Sequence, residues 1–142
     1  MDDDEWGTRI FTGHAVDAFM WKTGQIPGYV VAVWKGRHVA EPTQLTALEN
    51  ANYWVEISQV GRAVEACFQP AKMNYLTLGN SVPHLHTHIV PRPWSGDPNP
   101  NGPLLFDALD HPRQTDNAVR TNAVRVRQVL QRTSPGDESS RH

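Results

Sequence analysis

His84-Leu85-His86-Thr87-His88-Ile89-Val90 sets three of the chain's seven histidines on alternate positions. Successive side chains of an extended strand point to opposite faces. The spacing therefore predicts a strand with His84, His86 and His88 on one face and Leu85, Thr87 and Ile89 on the other. Imidazole is the side chain that titrates near neutral pH, and a row of three on one rigid strand reads as a reaction surface. Upstream, Gly79-Asn80-Ser81 reads as a turn and residues 73–78 as a strand, so the segment reads as an antiparallel hairpin whose histidine strand spans 82–90. Pro91 and Pro93 are expected to end the pairing, because proline has no N–H to donate to a ladder.

Further out, residues 29–34 hold Tyr29, three valines and Trp34, a strong strand pattern, and residues 9–14 and 18–21 are shorter strand candidates. Gln25-Ile26-Pro27-Gly28 is a turn before the 29–34 strand, and Lys35-Gly36-Arg37 is a basic turn after it. The clearest helix opens with Thr46-Ala47-Leu48-Glu49, a capping box in which hydroxyl and carboxylate satisfy opposing backbone N–H groups. Tyr53, Ile57, Val60, Val64 and Cys67 follow at helical spacing as a core-facing stripe, and Pro70 marks the stop. Thr115 or Asp116 caps a final helix running through Leu130. Residues 94–103, rich in Pro, Gly, Asn and Asp, form a loop directly after the histidine strand, read equally well as a lid or as plain surface.

The 142 residues suggest a single domain over 9–133, with an acidic disordered lead-in at 1–8 and a disordered tail at 134–142. A net charge of −2 argues against broad binding to nucleic-acid backbones, while leaving room for a small anionic substrate. The lone Cys67 excludes an internal disulfide framework and a four-cysteine zinc site. There is no apolar run long enough for a membrane span. The start, Met1-Asp2-Asp3-Asp4-Glu5, lacks the basic-then-apolar pattern of a signal peptide, so a cytoplasmic protein is the expectation.

Three readings of the histidines compete. As metal ligands, neighbours on one strand face sit about 6.6 Å apart and all three span roughly 13 Å. That is too wide for a single zinc with ligands at about 2.0–2.1 Å. As a solvated polar face, Lys, Thr or Arg would serve as well. As catalysts, a central neutral imidazole attacks an electrophilic phosphorus while its neighbours orient it and bind phosphate oxygens. Ser81 then lies where it can donate a hydrogen bond to a leaving group.

The residues 84–90 resemble the signature of the histidine triad superfamily, His-φ-His-φ-His-φ-φ with φ apolar. Gly79-Asn80-Ser81-Val82 is similar to the family's Gly-Gln-Ser/Thr-Val, Pro91-Arg92 to its Pro-Arg, Pro27-Gly28-Tyr29 to its Pro-Gly-His, and Lys35-Gly36-Arg37-His38-Val39 to its Pro-Lys-Arg-His turn. The likeness runs in order over roughly residues 15–95. It implies an α+β fold in which a five-stranded antiparallel sheet carries a long helix and a C-terminal helix, commonly as a homodimer.

The resemblance also implies a nucleotide hydrolase or transferase acting at an α-phosphate through a nucleotidyl-histidine. Dinucleoside polyphosphates are the preferred substrate class and phosphoramidates the second. Carried over by position, His86 is the nucleophile, His84 and His88 support it and contact phosphate, Ser81 sits near the leaving atom, and Asn80 replaces a glutamine that binds phosphate or leaving group. The chemistry requires no metal cofactor; a divalent ion enters only as the substrate's counter-ion. Neither a nucleic-acid polymer nor a membrane is expected as a partner. The chain departs from the pattern at Thr87, at Tyr29, near Trp21, where relatives often carry a ribose-binding Asn or Asp, and in lacking the cysteine pair that helps bind structural zinc in some relatives. These departures motivate the alternative of a catalytically weak nucleotide-binding regulatory module.

Asn74, on the strand beside the histidines, is a candidate nucleotide contact, with a solvated strand residue as the plainer expectation. Trp94 is a candidate stacking surface, while Trp21, Trp34 and Trp54 fit core packing better. Asp97, Asp107 and Asp110 read as solvated loop charges, Cys67 as a small buried hydrophobe, and His14 and His111 have no identifiable partners.

Overall fold

A computed structural model of the chain describes residues 7–22, 25–110 and 114–133. The elements are β1 (Gly7–Thr12), β2 (Val16–Trp21), β3 (Val30–Trp34), α1 (Ala47–Phe68), β4 (Lys72–Leu76), β5 (His86–Arg92), the short α2 (Asp107–Asp110) and α3 (Asp116–Arg132). The strands form one five-stranded sheet in the order β1-β2-β3-β5-β4, antiparallel at every step. With the long helix and the C-terminal helix this is the expected α+β architecture. β1 takes in Gly7 and Thr8, which the sequence assigned to the lead-in; residues 1–6, the expected tail at 134–142 and His111 lie outside the described residues.

Local chemistry places the helices as expected. Thr46 accepts from the Glu49 backbone N–H while the Glu49 carboxylate accepts from that of Thr46, and Arg37 reaches across to the same carboxylate. The α1 stripe of Tyr53, Ile57, Val60 and Val64 is buried, and the helix ends at Phe68 with Gln69 in the left-handed region. Thr115 caps α3 by accepting from Ala118 N–H. Both helices cover one face of the sheet, and the core between them includes Val16, Ala18, Val30, Ala32, Leu85 and Ile89. Buried Glu56 of α1 fastens that helix to the β1–β2 turn, accepting the backbone N–H groups of His14, Ala15 and Val16 at 2.9, 2.8 and 2.9 Å.

β4 and β5 are adjacent and antiparallel, but not as a tight hairpin running to residue 78 and from 82. β4 stops at Leu76, opposite His88, and residues 77–85 form a wide connection. One cause is local, since Pro83 has no N–H, and one is distant, since the Leu85 N–H donates to Val39 O at 2.7 Å rather than to β4. Pairing also does not end at Pro91, which lies opposite Met73 within β5. β3 runs alongside β5 only as far as Ile89, so at Pro91 the strand has one neighbour and tolerates a missing donor.

Candidate active site

The alternation in β5 separates faces as the spacing predicts. Leu85, Thr87 and Ile89 are buried toward α1, while His86 and His88 are half-buried on the opposite face. The Thr87 hydroxyl meets Tyr53 Oη at 2.7 Å and Thr77 Oγ1 at 2.8 Å, which satisfies a polar group at a position that is otherwise apolar. The Tyr53 phenol is pushed up to about 12 by burial, with the Thr87 hydrogen bond opposing. His86 and His88 lie opposite Val33 and Val31 of β3, with ring centroids 5.0 Å apart.

Two short contacts orient this pair. His86 Nδ1 lies 2.6 Å from the carbonyl oxygen of His84. A carbonyl only accepts, so Nδ1 carries a proton, and in the neutral ring the lone pair is then at Nε2. His88 Nδ1 lies 2.7 Å from the Tyr29 hydroxyl. Tyr29, where the sequence pattern leads one to expect histidine, thus reaches the site with a hydroxyl of its own.

His84 corrects the reading of a three-histidine strand face. It precedes β5, and its ring turns to the end of β3: Nε2 meets Trp34 O at 2.7 Å and Nδ1 meets His38 Nδ1 at 3.2 Å. Both ring nitrogens are thereby engaged by protein, so the ring has no lone nitrogen for a phosphate, and its carbonyl is what serves His86. Ser81 and Asn80 are exposed on the 77–85 connection leading into His84.

Next to the histidines the same sheet face carries charge. Asp17 of β2 lies across Val33 from His86. It pairs with Arg9 at 3.1 Å and Lys35 at 3.1 Å, and the Arg9 guanidinium lies 4.9 Å from the Phe19 ring centroid.

Arg92 is the side chain whose importance the sequence did not reveal. Buried at 3% exposure, it donates Nε to Asp97 Oδ2 at 2.7 Å, Nη1 to Asn74 Oδ1 at 2.8 Å and Nη2 to the carbonyls of Asn99 and Gly102 at 2.7 and 3.2 Å. Asn74 does share the histidine face, opposite Val90, but its side-chain oxygen is held by Arg92 rather than directed to a ligand. Asp97 is 3% exposed, not a solvated loop charge.

Trp94 lies 5.5 Å from the Arg92 guanidinium and, with Gln25, Leu105 and Asp107, lines a hollow of about 470 Å³ that none of the three histidines borders. The 94–103 loop is fastened to the sheet from beneath by these contacts. Trp34 is core, as expected, and Cys67 is half-buried at the core's margin, where burial raises its thiol.

The HIT domain family model matches residues 7–93, which takes in all five strands and the whole of α1. The chain belongs to the histidine triad family. Among its relatives, a bis(5'-adenosyl)-triphosphatase of Saccharomyces cerevisiae is 33% identical over 91 residues, covering 61% of this chain and 43% of that protein. A bifunctional bis(5'-adenosyl)-triphosphatase/adenylylsulfatase of Arabidopsis thaliana is 36% identical over 91 residues, 60% of this chain and 48% of that protein. This histidine triad chain therefore spans less than half the length of these curated relatives. In three dimensions it is similar to a histidine triad protein of Bradyrhizobium japonicum (TM-score 0.78, 25% identity, covering 89% of this chain and 92% of that one). A histidine triad protein of Sinorhizobium meliloti is similar too (TM-score 0.74, 26% identity, 89% and 95%). Among the described residues no helix is long and apolar enough to cross a membrane.

Proposed function

We propose that this chain hydrolyses, or transfers, a nucleotide at its α-phosphate, with His86 as the nucleophile and a dinucleoside polyphosphate as the preferred substrate class. The observation that carries the reading is the 2.6 Å contact from His86 Nδ1 to His84 O. Of the two tautomers of the neutral ring it selects the one with the Nε2 lone pair available, as a nitrogen nucleophile needs. The triphosphatase names of the relatives support the substrate class.

In this mechanism His86 Nε2 bonds to the α-phosphorus as the bond to the leaving oxygen, or nitrogen in a phosphoramidate, breaks. The leaving group departs with a proton, which Ser81 or solvent helps deliver, and Asn80 contacts it or the phosphate. His88, oriented by Tyr29, stabilises charge on the phosphate oxygens. Water then cleaves the nucleotidyl-His86 bond and regenerates the imidazole. His86 acts directly on phosphorus in this reading, which requires no metal cofactor and has room for a divalent ion as the substrate's counter-ion.

We also place the protein in the cytoplasm, where nucleotide substrates occur, and assign it a homodimeric state. β4 is a sheet edge, and Tyr75, Leu78, Val82 and Phe106 are exposed on or near it, surface that a second copy would cover. Light scattering at micromolar concentration checks the mass.

The decisive experiment offers dinucleoside polyphosphates and nucleoside phosphoramidates to the protein, quenches, and maps the adduct by mass spectrometry. Nucleotidylated His86, and loss of turnover in a folded His86→Ala variant, are the expected results. Substantial turnover by that variant sinks the assignment. Tight nucleotide binding by the wild type without turnover identifies a regulatory module instead, the reading that the substitutions at Tyr29 and around Trp21 favour.

A further inference from the structure

We infer that His38, outside the signature and on a turn far upstream in sequence, is a positioning residue for the nucleophile and acts through His84. The inference rests on His86 being the nucleophile. Trp34 O can only accept, so the 2.7 Å contact puts a proton on His84 Nε2. In the neutral ring His84 Nδ1 is then an acceptor, and its 3.2 Å partner, His38 Nδ1, is the donor. The ring centroids are 5.4 Å apart, a separation that suits nitrogen meeting nitrogen at the ring edges better than face-to-face overlap. The backbone follows the same path: Leu85 N–H donates to Val39 O at 2.7 Å and Trp34 N–H to Leu85 O at 3.0 Å. Residues 84–85 are therefore held by the 34–39 segment at side chain and main chain alike, and the carbonyl so held is the one that orients His86.

The chain of donors has a consequence for charge. A proton arriving at His84 Nδ1 would set two N–H donors against each other. With His38 Nδ1–H donating to it, His84 Nδ1 is occupied as an acceptor, and the remaining lone pair of the two rings is at His38 Nε2. Positive charge on His84, two residues from the nucleophile, would oppose the positive charge that grows on the His86 ring as Nε2 bonds to phosphorus. The charged groups around the pair are already committed elsewhere: Lys35 of the turn to Asp17 of β2, and Arg37 to Glu49 of α1. Glu41 follows on the same segment, and His86 is the titratable neighbour from β5. His38 is exposed, so its replacement leaves the core intact.

The test combines pH profiles of kcat and KM with imidazole nitrogen NMR for the wild type, His38→Phe and His38→Gln. A glutamine amide donates to His84 Nδ1 as His38 does; phenylalanine does not. In His38→Phe the acid side of the kcat profile is expected to move to higher pH, with a loss of roughly three- to tenfold at pH 6 relative to pH 8, the scale of one hydrogen bond. KM changes less than kcat, and His38→Gln follows the wild type. The spectra should show His84 protonated at Nε2 only in the wild type. Superimposable kcat profiles for His38→Phe and the wild type overturn the inference, as does a wild-type spectrum with a proton on His84 Nδ1. A wild type without turnover refutes the reading of His86, while the spectra still decide the His38–His84 bond on their own.

Discussion

Replacing Asp97 by asparagine tests the buried ion pair that fastens the loop after β5. The carboxylate accepts from Arg92 Nε at 2.7 Å, from Arg92 Nη2 at 3.3 Å and from the Asn99 backbone N–H at 2.9 Å, and both side chains are 3% exposed. Asparagine conserves the shape, keeps one acceptor oxygen, and turns an NH₂ toward a donor. The Arg92 guanidinium is left buried beside neutral acceptors only. Removing one partner of such a pair costs about 3–5 kcal/mol, most of it the penalty of the uncompensated charge. For a chain of this length that is a fall in Tm of about 10–15 °C.

The assay is thermal and urea unfolding followed by circular dichroism, with His86 chemistry left out of account because Asp97 touches none of the three histidines. Arg92→Met with Asp97→Leu, an apolar pair of similar volume, should recover part of the loss, since a buried ion pair is replaceable where half of one is not. A shift below about 3 °C for Asp97→Asn, with an unchanged urea slope, refutes the reasoning: Asp97 would then be behaving as the solvated loop charge its sequence context suggests.

Tyr29→Phe removes the hydroxyl that meets His88 Nδ1 and nothing else of the buried ring; kcat/KM is expected to fall about five- to tenfold, one hydrogen bond's worth, with the fold retained. An unchanged kcat/KM shows that His88 does not need that partner. Tyr53 sets a limit on alkaline stability. Its phenol is raised from 10.0 to about 12 in the fold, so between those values the unfolded chain loses a proton that the folded chain keeps, and stability falls as pH rises through this window. The contribution is about 2–3 kcal/mol by pH 12, read from urea midpoints at pH 9 to 12; a flat dependence refutes it.

What was legible in the sequence was local. Thr46 with Glu49 announces α1, Thr115 announces α3, and the period of two separates His86 and His88 from Thr87 and Ile89, because each of these signals is complete within a few residues. What was hidden depends on partners distant in the chain. His84 leaves the strand face because Val39 and Trp34 offer backbone partners to residues 84 and 85. Pro91 stays in the ladder because β3 ends alongside Ile89. Asn74 and Asp97 looked like ligand contact and solvated charge until Arg92, from another strand, drew both inward. Arg92 itself, flanked by Pro91 and Pro93, carries no local mark of that role.

The orientation of His86 also decides the chemical identity of anything that becomes attached to it. With Nδ1–H donating to His84 O at 2.6 Å, an electrophile reaching the ring bonds at Nε2. Every adduct, from substrate, inhibitor or acylating reagent alike, is then of a single regioisomer, with the modified nitrogen remote from the backbone. Such N–P bonds are acid-labile and alkali-stable, so a trapped intermediate belongs in alkaline workup, and a mixture of ring isomers would mark a denatured population.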